Sequence, residues 1–198
     1  MAVRISMEWP GITPEQYDTV CELAAWEVDA PEGGIFHVAS FVDGVLQVTD
    51  AWDTPEHFMA FVGARLMPAV AGAGIVADPP SPTVEPMFEF LSGNTETPSP
   101  VLEEVIFPGV TEAEWTALRA EVGWVETNPI GGRAHMSVVR PDGISVINVW
   151  RSVDDQKAFE ADRVIPAMMR LGAEAGAPPV QSFRPAYRYF DASRTRVS

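Results

Sequence analysis

Two histidines occupy matching places in two similar stretches of the chain, and each precedes a polar residue by 13 positions. His37 precedes Asp50, and His135 precedes Asn148. A carboxylate beside an imidazole favours the protonated ring and supports proton transfer, whereas an amide only orients the ring. These four residues are the candidate catalytic groups, and the two sites are expected to be unequal. The alternative is that both histidines are hydrogen-bonded core residues, because shared packing also makes residues recur in two copies.

Aromatic residues accompany the polar partners. Trp52 lies two positions after Asp50, and Trp150 lies two positions after Asn148, so alternation along a strand places each indole on the face of its polar neighbour. Tyr187 lies on the last predicted strand. We take Trp52, Trp150 and Tyr187 as candidate substrate-binding residues for an aromatic ligand. The alternative is that the tryptophans only fill the interior.

Turn signals position each histidine against its partner. The dipeptide at 43–44 is Asp-Gly, which predicts a two-residue β-hairpin loop. Residues whose numbers sum to 87 then face each other, so His37 lies opposite Asp50. The segment 140–143, Arg-Pro-Asp-Gly, is better suited to a type I turn in a four-residue loop, which places His135 opposite Asn148.

The chain consists of two copies of one unit. A shift of 98 positions aligns residues 10–74 with 108–172, and 16 of these 65 positions are identical, where average composition gives roughly 4. Each copy follows the order strand, helix, hairpin, helix, strand. We predict a first repeat over 1–91, a polar linker over 92–100, a second repeat over 101–191 and a tail over 192–198. The repeats are expected to superimpose one-to-one over all four strands.

Local signals mark the helices. Thr13, Pro14 and Gln16 predict a capping box with proline in the first turn of the first helix. Pro68 and Pro166 fall at equivalent places in the second helices, where each is expected to kink or restart the helix.

Two further recurring pairs have open interpretations. Arg65 and Arg163 precede the prolines by one turn, and they either bind an anionic ligand or pair with surface carboxylates. Trp26 and Trp124 lie off the buried stripe of the first helices on a helical wheel. They are expected either to cover the following loop or to line the mouth of a cavity.

The element order βαββαβ is that of a ferredoxin-like unit, with helices on one face of its sheet. The predicted fold class is therefore α+β, with two ferredoxin-like repeats packed sheet to sheet as an intramolecular α+β barrel. On this order and on the segments DAWDTPEHF (50–58) and NVWRSVD (148–154), the chain resembles the dimeric α+β barrel superfamily. Within it, the chain is similar to antibiotic-biosynthesis-monooxygenase-like proteins, as a tandem duplication.

The resemblance implies a cofactor-independent enzyme of the monooxygenase or cyclase type that acts on an aromatic, polyketide-like metabolite. Trp150 with Asn148, and less closely Trp52 with Asp50, match the family's tryptophan and polar amide. The haem-degrading branch also needs a histidine ligand on the second helix, near which only His57 lies. The alternative function is a non-catalytic binder of an apolar small molecule, or a duplicated barrel with a structural role.

Composition limits the partners. The formal net charge is −15, which disfavours nucleic acid and anionic membranes. Metal-binding and phosphate-binding motifs are absent from the sequence, so no cofactor and no metal site is expected. Cys21 is the single cysteine, and no apolar run resembles a signal peptide or a membrane span, which suggests a cytoplasmic protein. Fusion of the repeats predicts a monomer or a weak homodimer.

Overall fold

A computed structural model describes residues 1–76, 79–93, 100–172 and 178–192. These residues form two five-stranded antiparallel sheets with associated helices, which confirms the α+β, ferredoxin-like fold class. The elements of the first repeat are β1 (Val3–Pro10), α1 (Pro14–Ala24), β2 (Gly34–Val42), β3 (Val45–Trp52), α2 (Pro55–Phe61), α3 (Met67–Gly72), β4 (Thr83–Pro86) and β5 (Glu89–Ser92). Those of the second repeat are β6 (Val101–Pro108), α4 (Glu112–Val122), β7 (Gly132–Arg140), β8 (Gly143–Trp150), α5 (Val153–Phe159), α6 (Ile165–Arg170), β9 (Val180–Pro185) and β10 (Arg188–Asp191).

Both hairpin registers agree with the sequence prediction. In the first repeat Val42 pairs with Val45, which places His37 opposite Asp50. In the second repeat the ladder continues one pair further into the turn than expected, but the register is the predicted one, and His135 lies opposite Asn148.

The last strand of each repeat is exchanged between the sheets. The strand orders are β10-β2-β3-β1-β4 and β5-β7-β8-β6-β9. One compact unit, here the first unit, comprises residues 1–86 and the segment from Tyr187 onward, and the second unit comprises Met87–Ala186. This division differs from the expected boundaries at 1–91 and 101–191. Four strands of each repeat, β1–β4 and β6–β9, keep equivalent places in the two strand orders, and the exchange concerns β5 and β10. Most of the predicted linker (94–99) and most of the tail (193–198) lie outside the described residues.

Prolines explain where the exchange occurs. Pro86 ends β4 and Pro185 ends β9, and proline lacks the N–H group that would continue a ladder. After Pro86, the Phe88 N–H donates to the Ser137 carbonyl of the second unit at 2.9 Å. After Pro185, the Tyr187 N–H donates to the Ala39 carbonyl of the first unit at 2.8 Å.

Removal of the last strand tests the exchange. We expect a chain shortened after Ala186 to lose protection from hydrogen exchange at the amides of β2, because β10 pairs with β2 in the first sheet. Protection of β7 should persist, because its partner β5 remains. Loss of protection in β7 with β2 unaffected would show that each repeat retains its own last strand.

The helices begin as expected, and a new α-helical segment starts next to each proline. Thr13 accepts a hydrogen bond from the Gln16 N–H, and the Gln16 side chain accepts from the Thr13 N–H, which completes the predicted capping box. Before Pro68 the helix passes through a π-helical segment (Val62–Leu66) and then continues into α3. The segment Glu160–Val164 has the same role before α6. The wider turn accommodates a residue that cannot donate to the preceding turn.

The recurring arginines bind the main chain at the ends of the first helices. The Arg65 guanidinium donates to the carbonyl oxygens of Ala24 and Asp29, and also approaches the Asp29 carboxylate at 3.4 Å. The Arg163 guanidinium donates to the carbonyl oxygens of Val122, Gly123 and Thr127. The main contacts of both arginines are therefore with main-chain carbonyl groups, and not with a ligand or with surface carboxylates as expected. Carbonyl groups at a helix end have no donor within the helix, and the guanidinium groups supply one.

Candidate functional site

Glycines before each histidine strand fix the face on which the histidine lies. Gly33 and Gly131 have φ angles of 76° and 79°, in the left-handed region. A Cβ on Gly33 would lie 2.2 Å from Asp53 Oδ1, so the backbone approaches closely here. A register shift follows in each strand, between positions 34 and 36 and between 132 and 134. A shift of one residue decides which face of the sheet receives each side chain.

In the first unit, three polar side chains form a hydrogen-bonded Tyr17–His37–Asp50 triad. The His37 Nδ1 lies 2.7 Å from Asp50 Oδ1, and its Nε2 lies 2.6 Å from the Tyr17 hydroxyl. A carboxylate only accepts hydrogen bonds, so Nδ1 carries a proton and Nε2 of the neutral ring accepts from the tyrosine. Burial raises the pKa of Tyr17 well above its ordinary value, which keeps the phenol protonated. The expected proximity of His37 and Asp50 is confirmed.

The triad faces an apolar cavity of about 80 Å³. Trp26, 8% exposed, lines this cavity and packs on the His37 ring with 5.5 Å between centroids. One charged pair borders it, in which Arg188 donates to Glu27 at 2.6 Å. Burial raises the pKa of the Cys21 thiol to about 11, so the thiol is not a nucleophile at neutral pH. Further lining residues are Met7, Trp9, Ile12, Val20, Leu46, Val48, Phe61, Leu66, Ile75 and Phe190.

Trp26 and Trp124 line cavities because the first helices end before them. Ala25 adopts a left-handed conformation, with φ 54°, at the end of α1, and Gly123 does the same, with φ 62°, after α4. A helical wheel therefore does not apply to either tryptophan. Both tryptophans line a cavity. Each indole also lies close to the glycine after the following loop, Gly34 or Gly132, so the two expected positions are not exclusive.

In the second unit, the histidine is bound to an amide. His135 Nδ1 donates to Asn148 Oδ1 at 2.7 Å, and Asn148 Nδ2 donates to Glu103 Oε2 at 2.8 Å. The position equivalent to Tyr17 is Trp115, whose ring stacks on His135 with 6.0 Å between centroids. The Tyr17 hydroxyl and the carboxylate on Nδ1 therefore have no counterpart at His135, whose Nε2 instead lies 3.5 Å from the Glu89 carboxylate.

Glu103 is a buried carboxylate, 1% exposed, bound to four side-chain donors. Trp150 Nε1 and Asn148 Nδ2 donate to Oε2, and the amide nitrogens of Gln156 and Gln181 donate to Oε1. Burial raises the pKa of Glu103, and these hydrogen bonds oppose the rise without cancelling it. The equivalent position in the first unit is Ile5, which explains why Trp52 Nε1 has no hydrogen-bond partner among the described residues.

The raised pKa predicts a pH dependence of stability. The folded state holds the Glu103 proton more tightly than the unfolded chain, whose reference pKa is 4.5. The stabilising contribution is therefore complete below that value and is lost as the pH rises through the raised pKa of the folded state. We expect the difference in unfolding free energy between the wild type and Glu103→Gln to fall as the pH rises from about 4 to about 7. A series of urea titrations measures it, and a difference that grows with pH would contradict the prediction.

A second cavity, of about 130 Å³, adjoins His135. At its polar end Glu89 forms an ion pair with Arg119. Burial acts to raise the pKa of Glu89, but the neighbouring His135 and Arg119 outweigh burial and lower it, so the carboxyl is ionised at neutral pH. The other lining residues include Leu91, Val105, Phe107, Trp115, Leu118, Trp124, Val146, Phe159 and Met168.

Two solved structures superimpose on nearly the whole chain, and each is named a "putative monooxygenase". The one from Lactobacillus acidophilus has a TM-score of 0.67 and 9% sequence identity, over 96% of this chain and 97% of that chain. The one from Fusobacterium nucleatum has a TM-score of 0.69 and 8% identity, over 96% and 94%. The chain shares their fold. At this identity the likeness concerns the fold alone. No family model and no curated protein matches the sequence.

The predicted substrate-binding residues lie away from the described cavity linings. Trp52 and Trp150 are 0% and 1% exposed, and they pack behind Trp26 and Trp124. Tyr187 is 44% exposed, and its hydroxyl donates to Asp18 Oδ2 at 2.8 Å. The two tryptophans lie away from the cavities because each one ends its strand beneath the second helix of its repeat. There Phe61 covers Trp52, and Phe159 covers Trp150.

His57 lies on the protein surface. Its Nδ1 is 2.7 Å from Asp53 Oδ1, which raises the pKa of the histidine. His57 is not among the described lining residues of the first cavity, so it does not lie where a haem ligand would have to lie. Within the described residues, no cluster of three or more His, Cys, Asp or Glu could hold a metal ion. In the same part of the chain, no helix is long and apolar enough to span a bilayer.

Sequence reasoning missed two central residues, Tyr17 and Glu103. Tyr17 belongs to the buried stripe of α1, and nothing in the sequence places its hydroxyl at His37. Glu103 could have been identified from the sequence. Alternation along β6 puts it on the same face as Val101 and Val105, and an acid on an apolar face needs partners.

Proposed function

We propose that the chain is a small-molecule enzyme of the cofactor-independent monooxygenase or cyclase type, and that the first cavity binds an aromatic substrate. The observation that supports this most strongly is the Tyr17–His37–Asp50 triad at the edge of an apolar cavity. A titratable group that faces such a cavity is what acid–base catalysis on an apolar substrate requires.

Proton transfer through the triad would activate a phenolic or enolic substrate. The substrate hydroxyl donates to the Tyr17 oxygen while the Tyr17 hydroxyl donates to His37 Nε2. Because burial raises the pKa of Tyr17, the tyrosine passes the proton on and does not rest as a phenolate. Asp50 then stabilises the imidazolium through Nδ1.

The resulting anion supplies the electrons for reaction with O2. A substrate methylene beside the phenol, as in an anthrone, is converted to a carbonyl: CH2 and O2 give C=O and H2O. One electron passes from the anion to O2, the two radicals combine at carbon to a peroxide, and loss of water forms the carbonyl. His37 returns its proton to the departing hydroxide. The same triad would serve a cyclisation, in which the carbanion attacks a carbonyl instead of O2.

Cavity size limits what reaches the triad. An engineered apolar cavity of about 150 Å³ binds benzene. The first cavity, about 80 Å³, is smaller than this, so only part of the reacting ring would enter it and the rest of a polycyclic substrate would lie at the cavity mouth.

We assign catalysis to the first unit. In the second unit Trp115 replaces Tyr17 and Asn148 replaces Asp50, so a proton accepted by His135 has no adjacent carboxylate on Nδ1 and no hydroxyl on Nε2. The His135–Asn148 pair is therefore proposed as a positioning pair.

An oxygen-electrode assay tests the proposal. Anthrone and 1-naphthol are offered to the metal-free protein, with O2 uptake and quinone formation measured together. We expect stoichiometric uptake with anthrone that depends on His37. Saturable binding of anthrone without uptake or a cyclised product would support the non-catalytic binder. Absence of both binding and turnover would oppose any role on this class of substrate.

A further inference from the structure

The second cavity has an excess of hydrogen-bond acceptors at its polar end. Gln156 is 5% exposed, and its amide nitrogen donates to Glu103 Oε1 and Glu160 Oε2, which uses both of its N–H bonds. Its Oε1 is therefore an acceptor, and it has no hydrogen-bond partner among the described residues. Gln156 and Glu160 both line the cavity.

Glu89 presents a further acceptor beside His135. The Glu89 side chain is 8% exposed; Oε2 binds Arg119, and Oε1 has no hydrogen-bond partner among the described residues. The His135 proton lies on Nδ1, because Asn148 Nδ2 must donate to Glu103 and so presents Oδ1 to the ring. Nε2 of His135 lies 3.5 Å from Glu89 Oε1.

The exchanged strands β5 and β10 bring side chains of opposite charge to equivalent positions in the two cavities. Glu89 pairs with Ser137, and Arg188 pairs with Ala39, and these partners are equivalent under the repeat shift of 98. The exchanged strand therefore contributes a carboxylate to the second cavity and a guanidinium to the first. Among the described lining residues, the second cavity has two carboxylates, of Glu89 and Glu160, against the single guanidinium of Arg119.

We propose that the second cavity is a separate binding site for an aromatic compound that carries a primary ammonium group. Such a group has N–H donors and a positive charge, which match the acceptors Glu89 Oε1 and Gln156 Oε1, unpaired among the described residues, and the carboxylate charge beside them. The aromatic rings of Trp115, Trp124 and Phe159 line the remainder and favour both the apolar body and the cation. A cavity of about 130 Å³ is close to the size that accepts one aromatic ring. The inference does not depend on catalysis in the first cavity.

Calorimetric titration at about pH 8, where an ordinary imidazole is neutral, tests this site with three matched probes. They are 2-phenylethylamine, 2-phenylethanol and 3-phenylpropanoate. We expect the amine to bind at least 10-fold more tightly than the alcohol, and the carboxylate to bind most weakly. Equal affinity of amine and alcohol would overturn the ammonium assignment.

Variants locate the binding. Glu89→Gln should weaken the amine about 10-fold or more and leave the alcohol unchanged. Leu118→Trp should fill the second cavity and weaken both ligands, whereas Val20→Phe, at the equivalent position of the first unit, should weaken neither. Circular dichroism shows whether each variant is folded. If a bulky variant does not fold, the amine affinity of Glu89→Gln alone decides whether the site is in the second cavity. Unchanged amine affinity in Glu89→Gln, or a loss only in Val20→Phe, would overturn the proposal.

Discussion

Exchanging His37 for glutamine is expected to lower kcat for the aromatic substrate by a factor of about 100 to 10,000, the range that a positioned acid–base group contributes. Nε2 of His37 is the acceptor for the proton that Tyr17 releases, and a glutamine amide does not accept a proton at neutral pH. Steady-state O2 uptake measures the effect. KM should change little, since the cavity remains lined by the same apolar side chains.

Matched variants separate a catalytic role from a structural one. Asp50→Asn gives the first site the histidine–amide pair of the second unit, and it should lower kcat while the fold persists. Tyr17→Phe should also lower kcat, because it removes the hydroxyl between the substrate and His37. His135→Gln is the control and should retain most of the activity. A comparable loss in His135→Gln, or full activity in His37→Gln, would refute the assignment to the first unit.

The largest effect on stability is expected at Glu103. Replacing it by leucine leaves the donors of Asn148, Trp150, Gln156 and Gln181 without their shared acceptor in the interior. Leaving a buried donor without a partner costs about 1–3 kcal/mol per group, and several donors are affected here, which gives about 3–5 kcal/mol in total. We therefore expect Glu103→Leu to lower the unfolding free energy by about that amount, measured by equilibrium denaturation in urea.

Glu104 provides the control, because it is the next residue of the same strand. Its carboxylate pairs with Arg184 at 3.1 Å and is 37% exposed, so Glu104→Leu should cost no more than about 1 kcal/mol. If both leucine variants were equally stable, the hydrogen bonds of Glu103 would have no net stabilising role.

The sequence by itself determined those features that depend on short stretches of chain. An Asp-Gly loop at 43–44 sets the register of its hairpin, and the register sets which residue faces His37. The capping box at Thr13 and Gln16 acts within one turn of helix, so it can also be predicted from neighbouring residues. The duplication was visible because equivalent positions in two copies experience the same packing.

Only the tertiary structure decided the features that join distant segments. After Pro86 or Pro185 the chain can pair with the edge of either sheet, and the local sequence pattern of β5 or β10 is the same in both cases. The exchange of the two strands is therefore decided by which sheet edge accepts each strand. The bond from Tyr17 to His37 depends on how α1 lies across the sheet, and the four donors around Glu103 come from three elements, β8, α5 and β9. Hydrogen bonds of this kind depend on distances within about 3 Å, and residue spacing along the chain does not set them.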